Sequence, residues 1–138
     1  LAQPVIAVSG LNPHAGENGK LGLEEKEIII PAIRNLKNSI NIIGPLSADT
    51  MFHSTARAKY DVAITMYHDQ ALIPLKTIGF EEGVNITLGI SFVRTSPDHE
   101  TAFDLAGQNV ADETSIINAI KMAASLSRKQ QNGKTSPA

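Results

Sequence analysis

Residues 61–65 form a short, largely apolar and β-branched run that leads into Met66-Tyr67-His68-Asp69-Gln70 and then Ala71-Leu72-Ile73-Pro74-Leu75-Lys76. A run of that kind reads as a buried strand. Residues 72–79 read as a short helix, with Pro74 tolerated in a first turn whose N–H groups have no intrahelical partner. Such a strand delivers an imidazole, a carboxylate and an amide to its carboxyl end just before a helix. In open α/β sheets, ligands collect outside those ends. This stretch therefore fixes both a fold class and a place to look for chemistry.

The start of the chain repeats the pattern. Residues 4–9 read as a buried strand, closed by Gly10-Leu11-Asn12-Pro13-His14-Ala15-Gly16-Glu17-Asn18-Gly19, a loop rich in turn-forming residues. Residues 23–38 read as a helix, acidic early and basic late as the macrodipole favours. Pro31 within it predicts a kink or two abutting helices. Residues 40–43 follow as a strand ending at Gly44-Pro45. Ser47 or Asp49 is expected to cap a helix over 50–59, within which His53 is structural or solvated. Residues 83–89 and 90–94 read as two further strands joined near Gly89. Residues 95–107 are irregular, with a turn of helix near 102–106. Residues 115–128 close as an amphipathic helix with Ile116, Ile117, Ile120 and Ala124 inward. Alternating strands and helices argue an α/β class.

Composition narrows the function classes. The 138 residues carry 42% hydrophobic and 19% charged side chains, enough for a core. A net charge of −2 with scattered basic residues gives no footprint for nucleic acid. No apolar run approaches the roughly 20 residues that span a bilayer, so no membrane partner is expected. Without cysteine there is neither disulfide nor thiolate ligand, which fits a cytoplasmic protein. Any metal must use His, Asp or Glu. The chain begins without methionine, almost directly in a strand, and ends in a polar stretch over 128–138 read as a disordered tail.

His14 and His68 both fall at predicted strand ends. With Asp69 or Asp49 they would form an N/O site for Zn²⁺ or a harder divalent ion; spacing alone favours the plainer reading of two surface histidines. Lys76, Asn85 and Arg94 could hold a phosphate and a carboxylate, Arg94 in bidentate geometry and Lys76 as a point charge. Otherwise they are an ordinary solvated lysine and a strand-end cation. No G-x-G-x-x-G follows a strand, and no serine sits in a G-x-S-x-G elbow.

Motifs say more. Gly10-Leu11-Asn12-Pro13-His14-Ala15-Gly16-Glu17, Gly44-Pro45-Leu46-Ser47-Ala48-Asp49-Thr50 and Met66-Tyr67-His68-Asp69-Gln70 resemble the 4-hydroxythreonine-4-phosphate dehydrogenase (PdxA) family. So do Gly83-Val84-Asn85-Ile86-Thr87-Leu88-Gly89, Phe92-Val93-Arg94-Thr95-Ser96 and Asp98-His99-Glu100-Thr101-Ala102, all in family order. The resemblance covers only the C-terminal portion of a family member, here residues 1–127, with parts of both lobes and the cleft. It implies a three-layer α/β/α fold like that of the isocitrate and isopropylmalate dehydrogenases.

The implied reaction oxidises the secondary hydroxyl of 4-phosphooxy-L-threonine with NAD or NADP, on the way to pyridoxal phosphate. Loss of CO₂ then gives 3-amino-2-oxopropyl phosphate. The resemblance assigns a divalent metal (Zn, Mg or Co) to His14, His68 and a third histidine upstream of this chain. It assigns catalysis to His68 with Asp69 in support, substrate binding to Lys76, Asn85 and Arg94, and cofactor contact to His99, Thr101, Ala102 and Asp104. It also implies a homodimer with its active site at the interface. Glu100 stands where the family usually has glycine, and its charge would disfavour the 2′-phosphate of NADP. Ala71 and Ser91 replace a usual glycine and proline. The piece alone is expected to lack turnover. Competing expectations are a sister dehydrogenase of phosphorylated threonate or erythronate, a non-catalytic α/β dimerisation module, and a metal-dependent hydrolase.

Overall fold

The computed structural model describes residues 3–80, 82–98, 103 and 106–134. The chain divides into two compact units, residues 1–74 and 75–138. Among the described residues no helix is long and apolar enough to cross a membrane.

The first unit is built on β1 (Ile6–Ser9), β2 (Ile42–Leu46) and β3 (Val62–Ile64), a parallel sheet in the order β2-β1-β3. Ile6 pairs with Ile42 on one side and with Val62 on the other. The connection from β1 to β2 begins with a tightly turned segment (Pro13–Gly19) whose residues 14–18 are left-handed. It continues through a π-helical turn (Glu25–Ile29) abutting α1 (Ile30–Leu36), with Pro31 in the first turn of α1. The expected break near Pro31 is thus present as two joined helical types. Val8, Ile29, Ile33 and Ile42 form the core, with Ile6 and Met66 packed against it. Ile29 and Ile33 are one helical repeat apart and so face the sheet together.

Three readings need correction here. The strand expected over 40–43 is β2, which begins at Ile42 and runs on through Gly44, Pro45 and Leu46. As an edge strand it accommodates a proline that cannot donate to the ladder, and a Cβ on Gly44 would lie 2.5 Å from the Val8 carbonyl oxygen. The helix expected over 50–59 is reduced to α2 (Ser54–Arg57), preceded by turns. His53 occupies its N-cap position, and Ser47 Oγ donates to Asp49 Oδ1 at 2.7 Å instead of capping. α3 (His68–Gly79) starts at His68, so Pro74 lies inside it and not in its first turn. Gln70 Oε1 accepts the N–H of Met66 at 2.9 Å, a reach-back resembling half of a capping box. Asp69 in the first turn also suits the positive end of the helix dipole.

In the second unit β4 (Val84–Thr87) and β5 (Arg94–Pro97) form an antiparallel ribbon, and α4 (Thr114–Lys134) packs on it. β5 begins at Arg94; the strand expected over 90–94 is instead the connection 88–93, which turns at Gly89 with φ +82°. α4 continues to Lys134, well into the stretch read as a tail. Its packed face also differs from the expected one. Ala119 is buried, while Ile116, Ile117 and Ile120 are exposed, as is Ala124. Small residues bring the helix close enough for Thr95 Oγ1 to donate to the Ala119 carbonyl at 2.9 Å.

Candidate functional site

β1 lies between β2 and β3, so the carboxyl ends of β1 and β3 are neighbours. The loop that leaves β1 carries His14, and the helix that follows β3 begins with His68. The sheet therefore brings both imidazole-bearing segments to one edge, where open α/β sheets bind ligands.

The His14 loop has an unusual backbone. His14, Ala15, Gly16, Glu17 and Asn18 all lie in the left-handed region, with φ of 52°, 50°, 77°, 43° and 59°. Such a conformation costs about 1–2 kcal/mol per non-glycine L-residue, so a run of them persists only where surroundings enforce it. Glu25 enforces it from inside. Its side chain is 2% exposed, and Oε1 accepts the backbone N–H groups of Leu11 and Asn12, each at 2.8 Å. Oε2 accepts Asn12 Nδ2 at 2.9 Å, and the same amide donates to Glu24 Oε2 at 2.7 Å. Burial, the largest single influence, pushes the Glu25 carboxyl up. The Asn12 side chain and the N–H groups of Asn12 and Leu11 together outweigh it and hold the group below its ordinary pKa.

Around the histidines the chemistry is polar. His68 Nδ1 lies 2.9 Å from Asp69 Oδ1, with the two side chains 78% and 69% exposed. A carboxylate on one ring nitrogen presents the other for ligation, the usual arrangement of a metal-binding histidine. The Asp49 carboxyl is held below its usual range, first by the Ser47 hydroxyl and, to a lesser degree, by attraction to His14. His14 and Asp49 therefore share one neighbourhood. These nitrogen and oxygen donors fit a divalent cation. Among the described residues no three His, Asp or Glu side chains group closely enough to hold one.

The second unit carries the cationic candidates Lys76 and Arg94. In the ribbon, Asn85 pairs with Ser96 and Thr87 with Arg94. Residues two apart on a strand share a face, which places Asn85, Thr87, Arg94 and Ser96 together, on the side opposite Thr95 and α4. Arg94 Nη1 donates to Thr87 Oγ1 at 2.7 Å, and the side chain is exposed. Lys76 holds its Nζ 5.6 Å from the centre of the Phe80 ring, one helical turn on, in a cation–π contact. The expected cofactor residues His99, Thr101, Ala102 and Asp104, together with Glu100, lie outside the described residues.

Two contributors were missed by sequence reasoning, and both left a signal. Glu25 was read only as an early-helix acid. It stands at the head of the stripe Glu25, Ile29, Ile33, and a charge on a core-facing stripe marks a buried polar role. Gln70 was named without a role; it bonds to Ser9, Gly10 and Met66.

A parallel sheet whose strands alternate with helices defines an α/β protein. The chain belongs to the family described as pyridoxal phosphate biosynthetic protein PdxA, whose family model matches residues 1–123. It is 59% identical to a 4-hydroxythreonine-4-phosphate dehydrogenase of Bradyrhizobium diazoefficiens, over 91% of this chain and 37% of that protein. Its fold is similar to a crystal structure of 4-hydroxythreonine-4-phosphate dehydrogenase from Klebsiella pneumoniae. That match has a TM-score of 0.76 and 47% identity, and covers 89% of this chain and 38% of the other. A terephthalate 1,2-cis-dihydrodiol dehydrogenase from Burkholderia xenovorans is also similar. Its TM-score is 0.66 at 34% identity, with 89% of this chain and 39% of that one covered. The chain thus spans about two-fifths of the length of the relatives it matches.

Proposed function

We propose that the full-length gene product carrying this sequence oxidises the secondary hydroxyl of 4-phosphooxy-L-threonine, with NAD or NADP as acceptor. Decarboxylation to 3-amino-2-oxopropyl phosphate follows, as a step of pyridoxal 5′-phosphate biosynthesis. The observation that carries this reading is the placement of His14 and His68 at the adjoining carboxyl ends of β1 and β3, within a chain of the PdxA family.

In this reading His14 and His68 hold a divalent ion (Zn, Mg or Co) with a ligand from outside the described residues. When bound, the ion would acidify the substrate hydroxyl and polarise the carbonyl, and the nicotinamide would take the hydride. Asp69 keeps the His68 ring oriented through Nδ1. Arg94 and Lys76 neutralise the phosphate and carboxylate of the substrate, and Asn85 supplies an amide on the Arg94 face. Fixing the two reactants is the protein's main contribution to the rate. His99, Thr101, Ala102 and Asp104 are assigned to the dinucleotide. A homodimer, with the active site completed at its interface, and a cytoplasmic setting belong to the same proposal.

A second reading is favoured by the likeness to a cis-dihydrodiol dehydrogenase, since it ties a related fold to a different alcohol. The protein would then oxidise another hydroxy substrate, such as a phosphorylated threonate or erythronate.

The deciding experiment follows NADH formation by the full-length gene product with 4-phosphooxy-L-threonine, NAD⁺ and a divalent metal, and with phosphothreonate in parallel. Turnover of the amino acid, lost on chelation and in His68→Ala, supports the first reading. Turnover of the sugar acid alone moves the protein to the second. Reduction of neither NAD⁺ nor NADP⁺ sinks both.

A further inference from the structure

We propose that Gln70 is a positioning residue of the ion site: it fixes the strand end from which the His14 loop departs to the helical turn that carries His68. The proposal rests on the reading of His14 and His68 as ligands of a divalent ion.

The β1–β3 ladder pairs Ile6 with Val62, Ala7 with Ala63 and Val8 with Ile64. Beyond Val8 the two chains diverge, one into the His14 loop and the other into α3. Gln70 joins them there. Its Oε1 accepts Ser9 Oγ at 2.8 Å and the Met66 N–H at 2.9 Å, and its Nε2 donates to the Gly10 carbonyl at 2.9 Å. Ser9 is fully buried, so its hydroxyl depends on this acceptor. The Gly10 peptide is clamped from the other side as well, where its N–H donates to the Leu46 carbonyl at 2.7 Å.

A side-chain amide suits this position. It offers an acceptor that serves two donors and, beside it, a donor for a carbonyl. A carboxylate of the same length keeps the first function and turns the second into oxygen against oxygen. Asp69 cannot substitute, because it is engaged with His68. The amide therefore sets how far apart, and at what angle, the two imidazoles are held. Shells of this kind typically change metal affinity by 10- to 100-fold when removed.

The test titrates Co²⁺ into the metal-free full-length gene product and reads both Kd and the visible absorption bands at saturation. Those bands report the geometry of the ligands, which a purely structural contact elsewhere would leave alone. Gln70→Glu and Gln70→Ala are expected to weaken Co²⁺ about 10-fold or more and to shift the bands. Ser9→Ala, which removes one of the three bonds, is expected to give a smaller shift in the same direction. It remains readable if the Gln70 variants do not fold. A wild-type Kd and unshifted bands in folded Gln70 variants, or in Ser9→Ala when only it folds, overturn the proposal. If His68→Ala binds Co²⁺ as tightly as wild type, the ion reading itself fails and takes the proposal with it.

Discussion

A Cβ added to Gly16 would lie 2.5 Å from Glu25 Oε2, so the left-handed turn and the buried carboxylate are fitted to one another. Gly16 supplies the space and the positive φ, and Glu25 supplies acceptors for N–H groups at the start of the loop. The placement of His14 follows from this pairing more than from the conformational preferences of the residues around it.

Gly16→Ala should therefore destabilise the protein more than Gly89→Ala. Gly89 also has positive φ, +82°, but a Cβ there meets nothing within 4 Å. Its substitution carries only the left-handed penalty of about 1–2 kcal/mol. At Gly16 overlap with the carboxylate adds a further 1–3 kcal/mol, roughly the cost of overpacking. Urea denaturation of the two variants measures the difference, and equal losses would show that the carboxylate yields freely.

Glu25 predicts a pH dependence of defined sign. Its carboxyl lies below the ordinary 4.5 when folded, so the folded state favours the charged form. The stability it contributes is fully present above 4.5 and is lost as pH falls through the folded-state pKa. Glu25→Gln should cost about 1–3 kcal/mol at neutral pH, since one amide hydrogen would face Asn12 Nδ2 and leave a buried group unpaired. The gap between wild type and variant should close in acid. Denaturant titrations from pH 7 to pH 3 would reveal it, and a gap that widens in acid would contradict the assignment.

What the sequence made legible was the local pattern of each element. Short β-branched runs ending in glycine or polar residues marked β1 and β3, although β3, read as a buried strand, is exposed along its length, and the class follows from their alternation with helices. Helix faces were less legible. Ile116, Ile117 and Ile120 make a plausible apolar stripe, but α4 packs through Ala119 because the ribbon approaches closely enough for a hydrogen bond from Thr95. Strand limits in the second unit were misread because apolar content alone placed a strand over 90–94. The ladder instead pairs the polar run from Arg94 with β4. The roles of Glu25 and Gln70 depend on partners up to 61 residues away, which no local spacing encodes. Conversely, His14 and His68 could be placed at strand ends by pattern, and their adjoining edge then follows from the strand order.

Asp69→Asn separates a positioning role from a stabilising one. The His68–Asp69 pair is largely exposed, and exposed pairs contribute about 0–1 kcal/mol, so thermal stability should hardly move. An amide can still accept from Nδ1, but it no longer stabilises the charge that ligation draws from the ring. If His68 ligates an ion as proposed, metal affinity should fall by about 10-fold, as for outer partners of ligating histidines in general. Paired melting and metal-titration curves would test it; a large loss of stability with unchanged affinity would reverse the assignment.

Arg94→Lys tests the polar face of the ribbon. Arg94 donates through Nη1 to Thr87 and shares its face with Asn85, an arrangement that, among the described residues, leaves the remaining guanidinium donors for a planar or tetrahedral anion. Lysine keeps the charge but loses the fork, so two parallel bonds to an oxyanion become one. Charge-assisted bonds are worth about 1.5–3 kcal/mol each, which, for the proposed phosphorylated substrate, predicts a KM raised by about 10-fold or more. If Arg94 holds a part of the substrate that does not react, the loss is the same in ground and transition states. KM should then rise while kcat stays close to wild type. Steady-state kinetics of the full-length gene product decide this. A fall in kcat at unchanged KM would place Arg94 at the reacting carbon instead of at the anionic end of the substrate.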